Sequence, residues 1–298
     1  MKEIRFVLYK ATFHFLLRLP NAFYATLFTL AFPIYKALHT KRAYGRVARH
    51  LEKARRFQEQ FANGTPFPLQ KTTPRDVFKG IFWNALDSYR GLAYFRSVED
   101  RIVYENEEII REAVKLGPIA AISIHQGAFE LLHRSLCRYS ENVHLITDSV
   151  GDQTFRKVLK ELRSTPHLTE YHPEETGKLI RNLFSRNGSS NGILAMVVDQ
   201  GRNTKGNSVE LFGRKSTLYL RLPQKVNQMG AGIVIFRTWT ESSPLRRIII
   251  RFEKYYPPKS DGLIEDITKE IETWIAEHPE QWSWNYHQNF REAQDSPR

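Results

Sequence analysis

The chain has 298 residues, 41% hydrophobic and 12% aromatic, enough for one large domain with a sizeable core. A single cysteine, Cys137, excludes an internal disulfide and suits a reducing compartment. The net charge of +12 sits at one end: residues 1–56 hold twelve Lys or Arg against Glu3 and Glu52, and the rest hold 32 basic and 30 acidic side chains. That asymmetry argues against an evenly basic nucleic-acid-binding body and for an anionic lipid surface as partner.

In chain order, Ile4 to Leu17 mixes Phe and Leu with Lys10, the pattern of a helix lying in a membrane interface. Leu19 to Tyr35 carries no charge over seventeen residues, the lower end of the roughly 17–25 that span a bilayer. Pro20 suits a first helical turn, Pro33 kinks or ends the helix, and Tyr24 and Tyr35 are of the interfacial kind. Lys41, Arg42, Arg46, Arg49, Lys53, Arg55 and Arg56 follow, which by the positive-inside rule places the next domain in the cytoplasm. No small-residue cleavage site follows the apolar run, so its removal as a signal peptide is not expected. Residues 1–72 therefore read as a membrane-anchoring helical segment, either spanning or lying on the surface. The alternative is a buried amphipathic hairpin of a soluble protein. Residues 63–68 (NGTPFP) read as a linker.

Residues 73–298 read as a catalytic domain. Thr73-Pro74-Arg75-Asp76 is a helix start, followed by Phe78, Phe82, Ala85, Tyr89 and Ala93 at helical spacing. Residues 118–124 form a short apolar run, the mark of a strand buried on both faces. Gln126-Gly127 turns the chain, and Phe129, Leu132, Leu136 and Tyr139 predict a helix over 127–139. A second strand, 143–147, precedes a helix marked by Phe155, Val158, Leu159 and Leu162. A weaker strand at 168–171 precedes one marked by Leu179, Ile180, Leu183 and Phe184. Strand 193–198 ends at Asp199-Gln200; a polar loop follows (GRNTKGN), then 209–213 (VELFG) and a helix from about Thr217. Two β-branched runs, 233–236 and 248–252, precede a helix carrying Ile264, Ile267, Ile271, Trp274 and Ile275. This alternation predicts an α/β fold with a largely parallel sheet flanked by helices.

Several chemistries lack their motifs. There is no G-x-S-x-G elbow. Residues 201–208 resemble a phosphate loop, but Asn207 stands where the lysine belongs. The histidines lack metal-ligand spacing, and Cys137 has no base placed for it. What remains is His125 with Glu130. Ten histidines and 32 acids in this length produce about one such spacing by chance, and His287 with Glu292 is that decoy, so context decides. His125 stands on the bend between a core strand and its helix, beyond the carboxyl end of a strand, where α/β sheets gather their chemistry. Folded back, the Glu130 carboxylate would bond one ring nitrogen and leave the other to take a proton from a hydroxyl. A histidine that merely caps its helix is the bland alternative.

The run SIHQGAFELL resembles the H-x4-[DE] motif of the glycerolipid and lipid A acyltransferase superfamily. Further stretches are similar to its late lipid A branch, the lauroyl/myristoyl-type acyltransferases: Met196-Val197-Val198-Asp199-Gln200, then Leu211-Phe212-Gly213, Thr217, residues 229–235, and His278-Pro279-Glu280-Gln281-Trp282-Ser283-Trp284. The resemblance covers nearly the whole chain in order. It implies a glycerolipid-acyltransferase-like fold and transfer of a fatty acyl chain from acyl carrier protein or coenzyme A to a lipid hydroxyl. The place would be the cytoplasmic face of a bacterial inner membrane. His125 would be the general base and Glu130 its partner, with no cofactor beyond the thioester co-substrate and no metal. Backbone amides near Gly127, or a cation such as Arg202, would serve the oxyanion; Asp199, Gln200, Gly213 and Thr217 would line the substrate site; Arg214, with Lys215 and Arg221, would meet an anionic lipid or the carrier protein. Trp282 and Trp284 fit an acyl groove, the interface or ordinary core. Two departures bear on the acceptor. Residues 286–290 (YHQNF) lack the arginines of the family's His-Arg-Arg-Phe close, and Thr147-Asp148 stands where Tyr-Arg is usual. The acceptor is thus open between lipid A, another glycolipid, a lysophospholipid and a mannolipid; a non-catalytic lipid-binding protein is the rival of another class.

Overall fold

The computed structural model describes residues 2–61, 68–147, 153–185, 191–200, 206–241 and 246–284. Strands β1 (Ile102–Glu105), β2 (Ile119–Ser123), β3 (Val143–Ile146), β4 (Leu168–Tyr171) and β5 (Ile193–Val197) precede a hairpin, β6 (Asn207–Leu211) and β7 (Arg214–Leu218). Two longer strands follow, β8 (Gly232–Thr240) and β9 (Ile248–Tyr256). The main sheet has seven strands in the order β1-β9-β8-β2-β5-β3-β4. Every pair in it is parallel except β8 with β9. The expected mixed α/β architecture is therefore present.

Helices α1 (Lys2–Arg18), α2 (Asn21–His39), α3 (Gly45–Phe61), α4 (Pro74–Ala93) and α5 (Phe95–Glu99) precede or adjoin β1. The others are α6 (Glu107–Leu116), α7 (Leu132–Leu136), α8 (Gln153–Arg163), α9 (Thr176–Phe184), α10 (Arg221–Gln228) and α11 (Leu263–Glu277). Period-two alternation on β2 sends Ala120 and Ile122 into one core with α3, α9 and α11, and Ile119 and Ala121 into a second with α6, α7 and α8. All five residues of β2 and all nine of β8 are buried, as central strands covered on both faces must be.

Helix α4 starts on a capping box: the Thr73 hydroxyl accepts from the Asp76 amide and the Asp76 carboxylate accepts from the Thr73 amide. Residues Phe78, Phe82 and Tyr89 face the amino-terminal helices, against Phe32, Phe28 and Phe13 respectively. The break between α1 and α2 is held by Arg90, which donates to the carbonyls of Leu17 (2.8 Å) and Leu19. No single helix among the described residues is long and apolar enough to cross a membrane; α1 and α2 together pass on length and composition, bent by 100°. Helix α3 sends Val47, Leu51 and Ala54 into the same core as β2 and β5. Of the expected linker, residues 63–67 lie outside the described residues.

Two local expectations are corrected. The helix predicted over 127–139 is a 3-10 turn at Phe129–Leu131 and then the short α7, because Gly127 takes a left-handed φ of 58° and delays helical geometry. The helix expected from Thr217 begins at Arg221. Phe212 and Gly213 both take positive φ, a two-residue turn that folds 207–218 into a hairpin and leaves Thr217 on a strand.

Candidate active site

Strands β2 and β5 run side by side, with Ser123 paired to Val197. Two residues beyond that pair stand His125 and Asp199. The His125 ring Nδ1 lies 2.7 Å from Asp199 Oδ1, and the His125 amide donates to both carboxylate oxygens at 3.1 Å. Trp282 Nε1 donates to Oδ2 at 2.9 Å. A carboxylate only accepts, so Nδ1 carries the hydrogen and proton chemistry falls to Nε2. The Asp199 side chain is 3% exposed and that of His125 14%, so the acid is sealed in while the imidazole keeps an opening.

The backbone fixes this geometry from below. A Cβ on Gly127 would sit 2.5 Å from the Thr238 carbonyl oxygen, so the turn closes only with glycine. The Gly127 amide donates to the Gln281 carbonyl at 3.2 Å, and the Gln126 amide to that of Ile124 at 2.8 Å. Gln126 is bridged to Trp282, and its side-chain amide donates to the Trp274 carbonyl at 2.8 Å. The Gly127 N–H itself is committed to the segment carrying Trp282. Trp282 and Trp284 are both buried and pack edge to face, which makes them core.

Glu130 is not on the imidazole. The 3-10 turn carries it to the end of α8, where Arg163 Nη2 donates to Oε1 at 2.6 Å and Nε to Oε2 at 2.9 Å, a bidentate pair. The orienting contact expected of Glu130 belongs to Asp199. Burial raises the Glu130 carboxyl, but the Arg163 charge and hydrogen bonds outweigh it and hold the group below its ordinary value. Burial conversely lowers Arg163, and Glu130 more than restores it. Glu170 stands on the other side of Arg163 at 4.0 Å, its carboxyl raised by burial despite that arginine. His133 lies beneath the pair, and burial pushes it down to about 3.

The other expected residues divide. Gln200 adjoins Asp199 at the strand end. The Tyr219 amide donates to the Val198 carbonyl at 2.7 Å, so the base of the hairpin, with Thr217 two residues earlier, lies beside the site. Gly213 turns the far tip, where a Cβ would meet the Phe57 ring at 2.4 Å; Arg214 is next to it on β7. Arg202 and residues 286–290 lie outside the described residues. Arg163 escaped sequence reasoning, since no spacing relates it to Glu130. The Asp199 contact had a signal: the offset of 74 between paired residues of β2 and β5 is also that between His125 and Asp199. Among the described residues no group of three His, Cys, Asp or Glu side chains converges as a metal site would.

The arrangement is a buried carboxylate that fixes one imidazole tautomer, with a separate arginine–carboxylate pair alongside. That is the equipment for moving a proton to and from a reacting hydroxyl. A family model described as bacterial lipid A biosynthesis acyltransferase matches residues 89–292, a span that includes His125, Glu130, Arg163, Asp199 and Trp282. No curated protein matches the chain.

Proposed function

The chain belongs to the bacterial lipid A biosynthesis acyltransferase family and is an acyltransferase; from that premise we propose direct transfer of a fatty acyl group from an acyl-carrier-protein or coenzyme A thioester to a hydroxyl of a lipid A-like glycolipid, with His125 as general base. Asp199 holds Nδ1–H and stabilises the imidazolium. Nε2 takes the hydroxyl proton as the oxygen adds to the thioester carbon. The carbon–sulfur bond then breaks, and the proton passes from the imidazolium to the departing thiolate, so ester and thiol are the products. Arg163, kept charged by Glu130, supplies a fixed positive charge beside the reacting groups.

The observation that carries this reading is the 2.7 Å contact between His125 and Asp199 at adjacent strand ends. The site reads as lipid-facing because the amino-terminal charge is basic and α1–α2 expose Leu8, Phe15, Leu30, Ile34 and Leu38. We place the enzyme at the cytoplasmic face of the inner membrane on that basis. The missing arginines at 286–290 favour, as a second reading, an acceptor with fewer phosphates, such as a lysophospholipid or mannolipid.

The test uses the purified full chain, a labelled acyl-carrier-protein donor and extracted lipid, with mass spectrometry of the product. His125→Ala and Asp199→Asn should each lower kcat by about 10²–10⁴-fold while the protein stays folded. Undiminished transfer by the histidine variant would sink the mechanism. An acylated product other than a glycolipid would replace the acceptor and leave the mechanism standing.

A further inference from the structure

A cleft of about 1180 Å³ opens between α2 and α4. None of His125, Glu130, Arg163 and Asp199 lines it. One rim carries Lys71, Arg75 and Lys79, each four residues after the last and all exposed. None of the three makes an ion pair with a described residue. The acids among the lining residues do not cancel them. The lining holds two acids, Asp76, which takes part in the capping box with Thr73, and Glu280, against the four basic residues Lys71, Arg75, Lys79 and Arg246. Arg246 stacks on Trp83 at 4.5 Å and is paired with Asp87, leaving a surplus of positive charge at the rim.

The α2 wall is mainly apolar, with Ala22, Ala25 and Phe28 beside Asn21 and Thr29, and Trp83 of α4 lines the same cleft. The exposed stripe Phe23, Leu27, Leu30, Ile34 and Leu38 lies on the far face of α2, about 180° around the helix from that wall. At the floor, Thr240 is buried and its hydroxyl has no hydrogen-bond partner among the described residues.

We propose that this cleft binds an anionic bilayer phospholipid, its phosphate against Lys71, Arg75 and Lys79 and an acyl chain along Ala22, Ala25 and Phe28, at a site separate from acyl transfer. Charge complementarity selects the phosphate, and the apolar wall selects an amphiphile over a free anion. The site reaches the active site through Gln281: this lining residue accepts at its carbonyl from both Asn84 Nδ2 and the Gly127 amide. The proposal stands apart from the acyl-transfer reading, since it uses other residues and is read by binding.

The test is calorimetric titration of the full chain with monomeric dihexanoylphosphatidylglycerol, dihexanoylphosphatidylcholine and inorganic phosphate in parallel. Only the phosphatidylglycerol should bind, and raised salt should weaken it. A Lys71→Gln, Arg75→Gln, Lys79→Gln triple variant should lose affinity by tenfold or more, and Ala25→Trp, which fills the cleft without changing charge, should lose it too. His125→Ala should bind as the parent does, whatever becomes of its acyl transfer. Equal binding of phosphatidylcholine or of phosphate alone, or full affinity in the triple variant, would overturn the proposal.

Discussion

Asp199 accepts hydrogen bonds from the His125 amide, the His125 ring and the Trp282 indole, so the imidazole is oriented by a carboxylate that is itself clamped. Trp282 acts through Asp199 and is a positioning residue. Trp282→Phe keeps most of the ring packing and removes only the N–H. The expected results are a kcat lowered roughly tenfold at unchanged KM and a stability loss of about 1.5–3 kcal/mol, the worth of a hydrogen bond to a charged group. With one donor fewer, the carboxylate holds the imidazolium more strongly, so the acid limb of the pH–rate profile should move to higher pH. A purely structural tryptophan would leave that limb where it was. Legibility in the sequence splits at this scale. His125 was readable because a histidine ending an apolar run has few bland explanations. Spacing along the chain points to Glu130, five residues on, as its partner, whereas parallel pairing brings in Asp199, 74 residues on, by a register that only the folded sheet displays.

Helix α4 shows the same limit in a longer element. Its apolar periodicity, Phe78, Phe82, Ala85, Tyr89 and Ala93, predicts a helix correctly but marks the side turned to α1 and α2. The side pressed on the active-site segments is Gly80, Asn84, Asp87 and Gly91, small or polar at helical spacing and invisible to a search for hydrophobic faces. It works because close approach and hydrogen bonding replace apolar burial. A Cβ on Gly80 would stand 1.8 Å from the Glu280 carbonyl oxygen, and one on Gly91 2.3 Å from the Leu131 side chain; Asn84 donates to Gln281 at 3.0 Å. One helix thus clamps both the 3-10 turn carrying Glu130 and the turn leading to Trp282. Gly80→Ala sets a methyl group against backbone that cannot rotate away. It should cost about 1–3 kcal/mol in denaturant unfolding and, by displacing residues 279–281, lower acyl transfer as well. Unchanged stability and activity would mean that α4 does not hold this turn.

Across the whole molecule, the basic amino-terminal end is built into the body, since α3 supplies Val47, Leu51 and Ala54 to the main core. The acid sensitivity of the protein is set deeper still, by histidines buried in neutral form. Burial lowers His133 to about 3, and His144 and His278 to about 4, against about 6.5 in an unfolded chain. Between those values the unfolded state binds protons that the folded state refuses. Stability therefore rises with pH through this window and is lost as pH falls from about 6.5 toward 4, by up to about 1.4 kcal/mol per pH unit for each histidine. Glu170, Glu272 and Glu280, raised chiefly by burial, act in the opposite sense, gaining a proton more readily when folded and offsetting part of the slope. Glu130, held low by Arg163, adds its own loss only below the ordinary carboxylate range. His133→Leu separates these contributions, since it deletes one buried histidine whose Nε2 has no partner among the described residues and leaves the carboxylates in place. Denaturant midpoints measured from pH 7 to pH 5 should fall steeply for the parent. In the variant the slope should be shallower by up to about 1.4 kcal/mol per unit, reached toward pH 5, with the two curves converging at neutral pH apart from a constant packing difference. Parallel curves would show that His133 titrates alike in the folded and unfolded chain.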